Sequence, residues 1–164
     1  SGLDYFRTAD PGREAQKESF RAHIEMAARH DLPLQIHDRE AHEDSIALVR
    51  ECANPDQRIV FHCFSGDAAM ASVLAEHGWY ASFAGPISYS ANEDLRQAFA
   101  GLPPELVLVE TDAPYLTPLP WRGCPNASYV MAHTVRFIAD LWGVSEERAC
   151  TQLRENTERV YGSW

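Results

Sequence analysis

Apolar and polar positions follow two rhythms along this chain, and the rhythm switches repeatedly. In LPLQIH, residues 32–37, Leu34 and Ile36 fall on one side of an extended chain and Gln35 and His37 on the other, which predicts a strand. RIVFHCFSG (58–66), WYASFAG (79–85) and LVLVETDAPYL (106–116) are further short apolar runs and predict three more strands. Between these runs the apolar spacing lengthens to three and four residues. Phe20, Ile24, Ala27 and Ala28 mark a first helix, opened by Asp10 as N-cap with Pro11 at the first helical position. Ile46, Leu48, Val49 and Cys52 mark a second, ended near Asn54-Pro55. Met70, Val73 and Leu74 mark a third, between Asp67 as cap and Gly78 as stop. Leu95, Phe99 and Leu102 follow as a fourth, Val130, Phe137, Ile138 and Leu141 as a fifth, and Ser145 caps a sixth.

Near-continuous apolar strands separated by helix-length connections predict right-handed βαβ units around a parallel sheet, an α/β fold. About four parallel strand–helix units are expected in sequential order, in one domain without an interdomain linker or repeat. The Pro-rich loop TPLPWRGCPN (117–126) is long for such a unit, which favours a functional or docking role.

Composition narrows the function classes. With 164 residues, 45% of them hydrophobic, the chain can bury a core of its own. Cysteines at 52, 63, 124 and 150 form neither CxxC nor a dense framework, so reduced thiols in a cytosol are expected, with Cys63 as a packing residue. No run of about 18 apolar residues predicts a transmembrane helix. The opening SGLDYFRTADPGREAQ lacks the basic-then-apolar order of a signal peptide. A cytoplasmic protein without a membrane partner is the expectation. The formal net charge of −10 excludes a broad electrostatic grip on nucleic acid. It leaves room for a phosphate held by metal ions, because the ions supply the local positive charge.

The candidate chemistry sits at the strand ends. His37 ends the first predicted strand, His62 the second and Asp112 the fourth. In parallel α/β folds the carboxyl ends of the strands open onto one face, so these three groups are expected to converge. Two neutral imidazoles and a carboxylate suit a first-row divalent ion such as Zn²⁺ or Mn²⁺, although no tight motif such as HExxH accompanies them. His23, His30 and His77 fall in or at the ends of helices, where solvated or capping roles are expected. His133 has no evident partner, and His42 is a candidate to support the site from behind.

Taken in order, GLDYF, LQIHDREA, FHCFSG, FAG, ETDAPYLTP and RGCPN resemble the TatD family of metal-dependent deoxyribonucleases, and the closing ENTERVYG resembles that family's C-terminal helix. The resemblance runs from residue 2 to the end. One departure is Ser128, where the family commonly has proline. The resemblance implies a (β/α)₈ TIM barrel related to the amidohydrolases, with a two-metal site that hydrolyses phosphodiesters of DNA or oligonucleotides. It implies that His37 and His62 bind one ion and Asp112 the other, the ions being Mg²⁺, Mn²⁺ or Zn²⁺, and that Asp112 also accepts a proton from water. Arg39 and Arg122 would fork onto phosphate oxygens, Glu110 would orient ligands, and Asp4 and Tyr5 would lie near the site.

The family's remaining ligands, an HxH pair and a bridging glutamate, have no counterpart in these residues. Residues 1–164 are therefore expected to be a single partial domain, the C-terminal half of the barrel. Such a half would be inactive alone and prone to self-association through its open sheet edges. Two other readings stay open: a C–N or ester hydrolase on the same scaffold, or a non-catalytic half-barrel remnant.

Overall fold

The computed structural model describes residues 1–162. Five strands run parallel in sequential order: β1 (Gly2–Asp4), β2 (Leu34–Arg39), β3 (Ile59–Phe61), β4 (Tyr80–Phe83) and β5 (Val107–Val109). Helices α1 (Asp10–Arg29), α2 (His42–Cys52), α3 (Ala68–His77) and α4 (Glu93–Ala100) connect them in turn. After β5 come α5 (Met131–Trp142) and α6 (Glu146–Tyr161). Sequential parallel strands joined by single helices are the pattern of a (β/α) barrel wall.

The four predicted strands are present; the last three are shorter because each leaves the ladder before its polar end, whereas β2 continues past His37 to Arg39, paired with β1. A fifth, β1, was not expected: three residues are too few to show alternation. Its signature is Gly2, which has φ 140 and pairs with His37. A Cβ at residue 2 would run into the His37 carbonyl, so only glycine lets β1 lie this close to β2. The start of α1 also differs slightly from the expectation. Ala9 is the N-cap, which places Asp10 in the first turn beside Pro11. The caps at Asp67, Gly78 and Ser145 are as the sequence predicts.

The register sorts the sheet into two faces. Leu3, Leu34, Ile36, Ile59, Phe61, Ala81, Phe83 and Val107 point toward the helices and are buried with Phe20, Ile24, Leu48, Val49, Leu74 and Phe99 in one large core. On the opposite face Gln35, Val60 and Tyr80 stand side by side. Val60, Tyr80 and Leu108 are covered there by Val160, from the last turn of α6, in a second small cluster. Gln35 and His37 share that face and stay exposed.

Asn156 fixes α6 in this position. It is fully buried, donates from Nδ2 to the carbonyls of Pro104 and Val107 at 2.7 Å each, and accepts from Gln152 at 3.0 Å. Asp38 does a similar job at the end of β2, where its buried carboxylate accepts from His42 Nδ1 at 2.8 Å and ties down the first turn of α2. That hydrogen bond raises the His42 pKa above its ordinary value, against the opposing effect of burial.

Replacing Asn156 with Ala leaves two β5-side carbonyls without donors and is expected to lower stability by at least about 2 kcal/mol, read from urea unfolding. A histidine with a raised folded-state pKa contributes stability that is fully present below its unfolded value, about 6.5, and is lost as pH rises through the folded value. The chain should therefore lose a little stability on going from pH 6 toward pH 8. His42→Gln should lessen that decline without abolishing it, as measured by melting temperature against pH.

Candidate metal centre

Because Gly2 pairs with His37, Asp4 projects from the same face as His37 two residues farther along β1. Val60 pairs with Gln35, so His62 and His37, each two residues on, are neighbours across β2 and the end of β3. The Glu110 N–H reaches the Phe83 carbonyl at 3.0 Å and prolongs the β4–β5 pairing by one residue, which brings its carboxylate to the same face. One row of side chains results. Asp4 Oδ2 lies 3.1 Å from His37 Nε2, His37 Nδ1 lies 3.3 Å from His62 Nε2, and His62 Nδ1 lies 3.3 Å from Glu110 Oε1. The outer carboxylates are themselves anchored: Asp4 Oδ1 accepts the Phe6 N–H and Glu110 Oε2 accepts the Cys63 N–H, both at 3.0 Å.

This row dictates the tautomers. An ionised carboxylate only accepts, so each outer ring nitrogen carries its proton toward Asp4 or Glu110. The inner nitrogens, Nδ1 of His37 and Nε2 of His62, are then left with lone pairs aimed at each other. A cation between them turns that repulsion into attraction. Two nitrogens bound to one tetrahedral ion at about 2.0–2.1 Å stand about 3.3–3.4 Å apart. The observed 3.3 Å fits. A carboxylate behind each imidazole is also what metal-bound histidines ordinarily show.

Charge follows the same pattern. The Glu110 hydrogen bond raises the His62 pKa, with burial opposing it. Burial alone would raise Glu110, yet its carboxyl is held below the usual range because hydrogen bonds from His62, the Ser82 hydroxyl and the Cys63 N–H together outweigh that effect. Burial, followed by the nearby negative charges of Glu110 and Asp112, pushes the Cys63 thiol up to about 12. That agrees with a packing cysteine.

Asp112 is not gathered into the row. It is exposed, its carboxylate makes no hydrogen bond or ion pair among the described residues, and it acts on His62 only through its charge. Among the described residues no group of three or more His, Cys, Asp or Glu side chains is close enough to hold an ion, so the two histidines face each other without a third such ligand. Asp112 shares a backbone feature with Glu40 and Cys63. These three residues follow β5, β2 and β3 and adopt left-handed φ values of 53, 56 and 44.

The two arginines singled out from sequence each stack on an aromatic ring. The Arg39 guanidinium lies 3.8 Å from the Phe6 ring centre, and that of Arg122 lies 4.3 Å from the Tyr89 ring centre. Neither has an ion-pair partner among the described residues, whereas Arg13, Arg21, Arg58, Arg96, Arg136 and Arg154 do. Phe6 and Tyr89 carried no sequence signal. Tyr5 is buried and donates to Asp44 at 2.7 Å, so it serves packing rather than the row. His42 pairs with Asp38, away from His37, while His133 accepts from Trp121 at 3.0 Å and His77 lies 2.9 Å from the Val73 carbonyl.

The family model for TatD-related DNases matches residues 1–162. An uncharacterized metal-dependent hydrolase, TatD, of Mycobacterium tuberculosis is 42% identical over 99% of this chain, and the match spans 62% of that relative. The human 3'-5' RNA nuclease TATDN2 is 35% identical over 98% of this chain and 22% of its own length. Among solved structures, the TatD homologue YjjV of Escherichia coli K12 superposes with a TM-score of 0.90 at 28% identity, over 99% of this chain and 62% of its own. The chain thus spans about three fifths of the length of such relatives.

Thiol reactivity checks the electrostatics. Cys124 and Cys150 are exposed, while burial raises both Cys52 and Cys63. Iodoacetamide at pH 8 should label Cys124 and Cys150 within minutes and leave Cys63 unmodified, as read by peptide mass spectrometry.

Proposed function

The chain belongs to the TatD-related DNase family, and from that membership we propose that it forms the phosphodiester-cleaving face of a metal-dependent nuclease. The observation that carries this reading is the pair of imidazole nitrogens that face each other at 3.3 Å, each ring held from behind by a carboxylate. In this reading His37 and His62 hold one divalent ion, Mg²⁺, Mn²⁺ or Zn²⁺, and the remaining ligands of a two-ion site come from outside these residues. When bound, such ions supply positive charge where the scissile phosphate gathers negative charge.

The chain's own residues divide the rest of the work. Asp4 and Glu110 fix the imidazole tautomers and ring planes, which keeps both ligand nitrogens aimed at one point. Arg39 and Arg122 bind phosphate oxygens. Stacking on Phe6 and Tyr89 presents the edge of each guanidinium while leaving its N–H groups free of carboxylates. Asp112, exposed beside His62, accepts a proton from the attacking water. DNA or an oligonucleotide is the substrate class that the family name favours. The human relative, a 3'-5' RNA nuclease, supports phosphodiester chemistry within the family.

Metal titration tests the site directly. His37→Ala or His62→Ala is expected to abolish Mn²⁺ binding, Asp4→Asn or Glu110→Gln to weaken it by about 10–100-fold, and His23→Ala to leave it unchanged. Alone, the chain should cleave a labelled oligonucleotide little or not at all. Mixed with the N-terminal remainder of the Mycobacterium tuberculosis relative, it should do so with Mn²⁺. In that mixture Asp112→Ala should remove cleavage and Arg122→Ala should chiefly raise KM. Hydrolysis of simple amides or lactones by the mixture, with the oligonucleotide left intact, would overturn the proposal.

A further inference from the structure

The Pro-rich loop after β5 is anchored at several points yet presents exposed rings. Asn126 is buried and donates from Nδ2 to the carbonyls of Thr111 and Tyr115 at 2.7 Å each, which bracket Asp112 in the chain. Thr117, also buried, donates its hydroxyl to the Cys124 carbonyl at 2.6 Å, and the Leu119 N–H reaches the Ser88 hydroxyl at 2.9 Å. Trp121 and Tyr129 nevertheless stay exposed, Tyr129 at 82% more than any other large apolar side chain among the described residues. With Cys124, Pro125, Val130 and His133 they line a recess of about 370 Å³.

His133 sets the shape of this recess. Its Nε2 accepts the Trp121 indole N–H at 3.0 Å, and the two rings meet edge to face, with centres 6.2 Å apart and planes at 70°. An indole has only that one donor, so what Trp121 offers a visitor is its π surface. Held by His133 and by the anchored loop, that surface is in place before anything binds, which lowers the ordering cost of binding. No Asp, Glu, Lys or Arg lines the recess among the described residues. A cation follows directly in the chain. Arg122 stands over Tyr89 without a carboxylate partner among the described residues, and Tyr89 donates its hydroxyl to the Thr117 carbonyl of the same loop at 2.9 Å.

An uncharged aromatic recess and a guanidinium free of carboxylates thus share one anchored loop, tied to the segment that carries Asp112. We propose that the recess is a stacking subsite for one base of a nucleic-acid strand, with Trp121 and Tyr129 as its walls. The proposal rests on the nuclease reading above for the identity of the substrate. Charge complementarity favours a strand over an apolar protein segment: a strand brings a phosphate with every flat ring, whereas an apolar segment would fill the recess and leave the neighbouring Arg122 without an anion. Stacking uses the π face that every base has, so the subsite accepts purines and pyrimidines alike.

The test separates bases from phosphates. A deoxyadenosine hexanucleotide and an abasic strand of the same length and charge are titrated, unlabelled and without metal, into the purified 164-residue chain in a calorimeter. The base-bearing strand should bind at least about tenfold more tightly than the abasic one, and a thymidine hexanucleotide should follow within about fivefold. Trp121→Ala should weaken the base-bearing strand by about tenfold and leave the abasic strand unchanged. Tyr129→Ala, at a side chain too exposed to matter for folding, should act in the same direction. Trp121→Phe keeps a ring without the N–H and should stay within about threefold of the parent chain. Equal affinity for base-bearing and abasic strands, no binding of either, or a base dependence that survives both alanine variants would overturn the subsite. So would self-association, read by light scattering, that Trp121→Ala abolishes, since a second copy would then be the occupant. Base-dependent binding without cleavage by the mixture with the N-terminal remainder would sink the nuclease reading and leave the subsite standing. Metal-dependent cleavage by that mixture, with no base dependence of binding, would sink the subsite alone.

Discussion

Asp4 and Glu110 grip His37 and His62 from opposite sides, and the two free ring nitrogens are thereby forced to face each other. That forced encounter depends on strand register. Asp4 sits on β1, His37 on β2, His62 just past β3 and Glu110 just past β5, so a slip of one residue in any pairing would turn one member of the row to the helix side of the sheet. The large core holds the register from the other face, where Leu3, Ile36, Phe61 and Phe83 are fully or almost fully buried. Gly2 adds the closest constraint, since the β1–β2 approach tolerates no side chain there. Packing on one face of the sheet thus decides chemistry on the other.

The anionic substrate proposed above sets a constraint on so acidic a chain. At a formal charge of −10 the molecule repels polyanions at long range. Six of its arginines are matched with carboxylates among the described residues, and those pairings cancel charge locally. Arg39 and Arg122 are set apart by stacking on Phe6 and Tyr89 instead. An aromatic face holds a guanidinium in place without consuming its hydrogen-bond donors. Both stacked guanidiniums thereby keep their N–H groups free of carboxylates among the described residues.

Much of this was legible in the sequence because the signals were local. His37 and His62 stood out as polar ends of apolar runs, and the shared carboxyl ends of parallel strands led to the expectation that they converge. The helices were legible through spacing and caps, as Asp67, Gly78 and Ser145 illustrate. β1 escaped because three residues carry no period, and its one clue, Gly2, acquires meaning only against the backbone of His37. Glu110 was legible as a support, but its contact with His62 spans 48 residues and could not be seen as a hydrogen bond. Phe6 and Tyr89 lay hidden for the same reason. Asp112 was expected to converge with the histidines, yet in the structure its left-handed backbone leaves its carboxylate in the open beside them. The aromatic recess was invisible in sequence, since Trp121 belongs to the loop and its partner His133 to α5.

Glu40, Cys63 and Asp112, three of the five left-handed non-glycine residues among those described, bear on how this chain can change over generations. A non-glycine residue in that conformation costs on the order of 1–3 kcal/mol. Each of the three positions therefore holds a side chain that a search for stability alone would exchange for glycine or asparagine. Such exchanges would be tolerated by the backbone while erasing the Asp112 carboxylate or the Cys63 thiol. Thermostabilising selection without an activity screen would thus drift toward a sturdier and chemically blank protein, and these three positions are where that drift would first be visible.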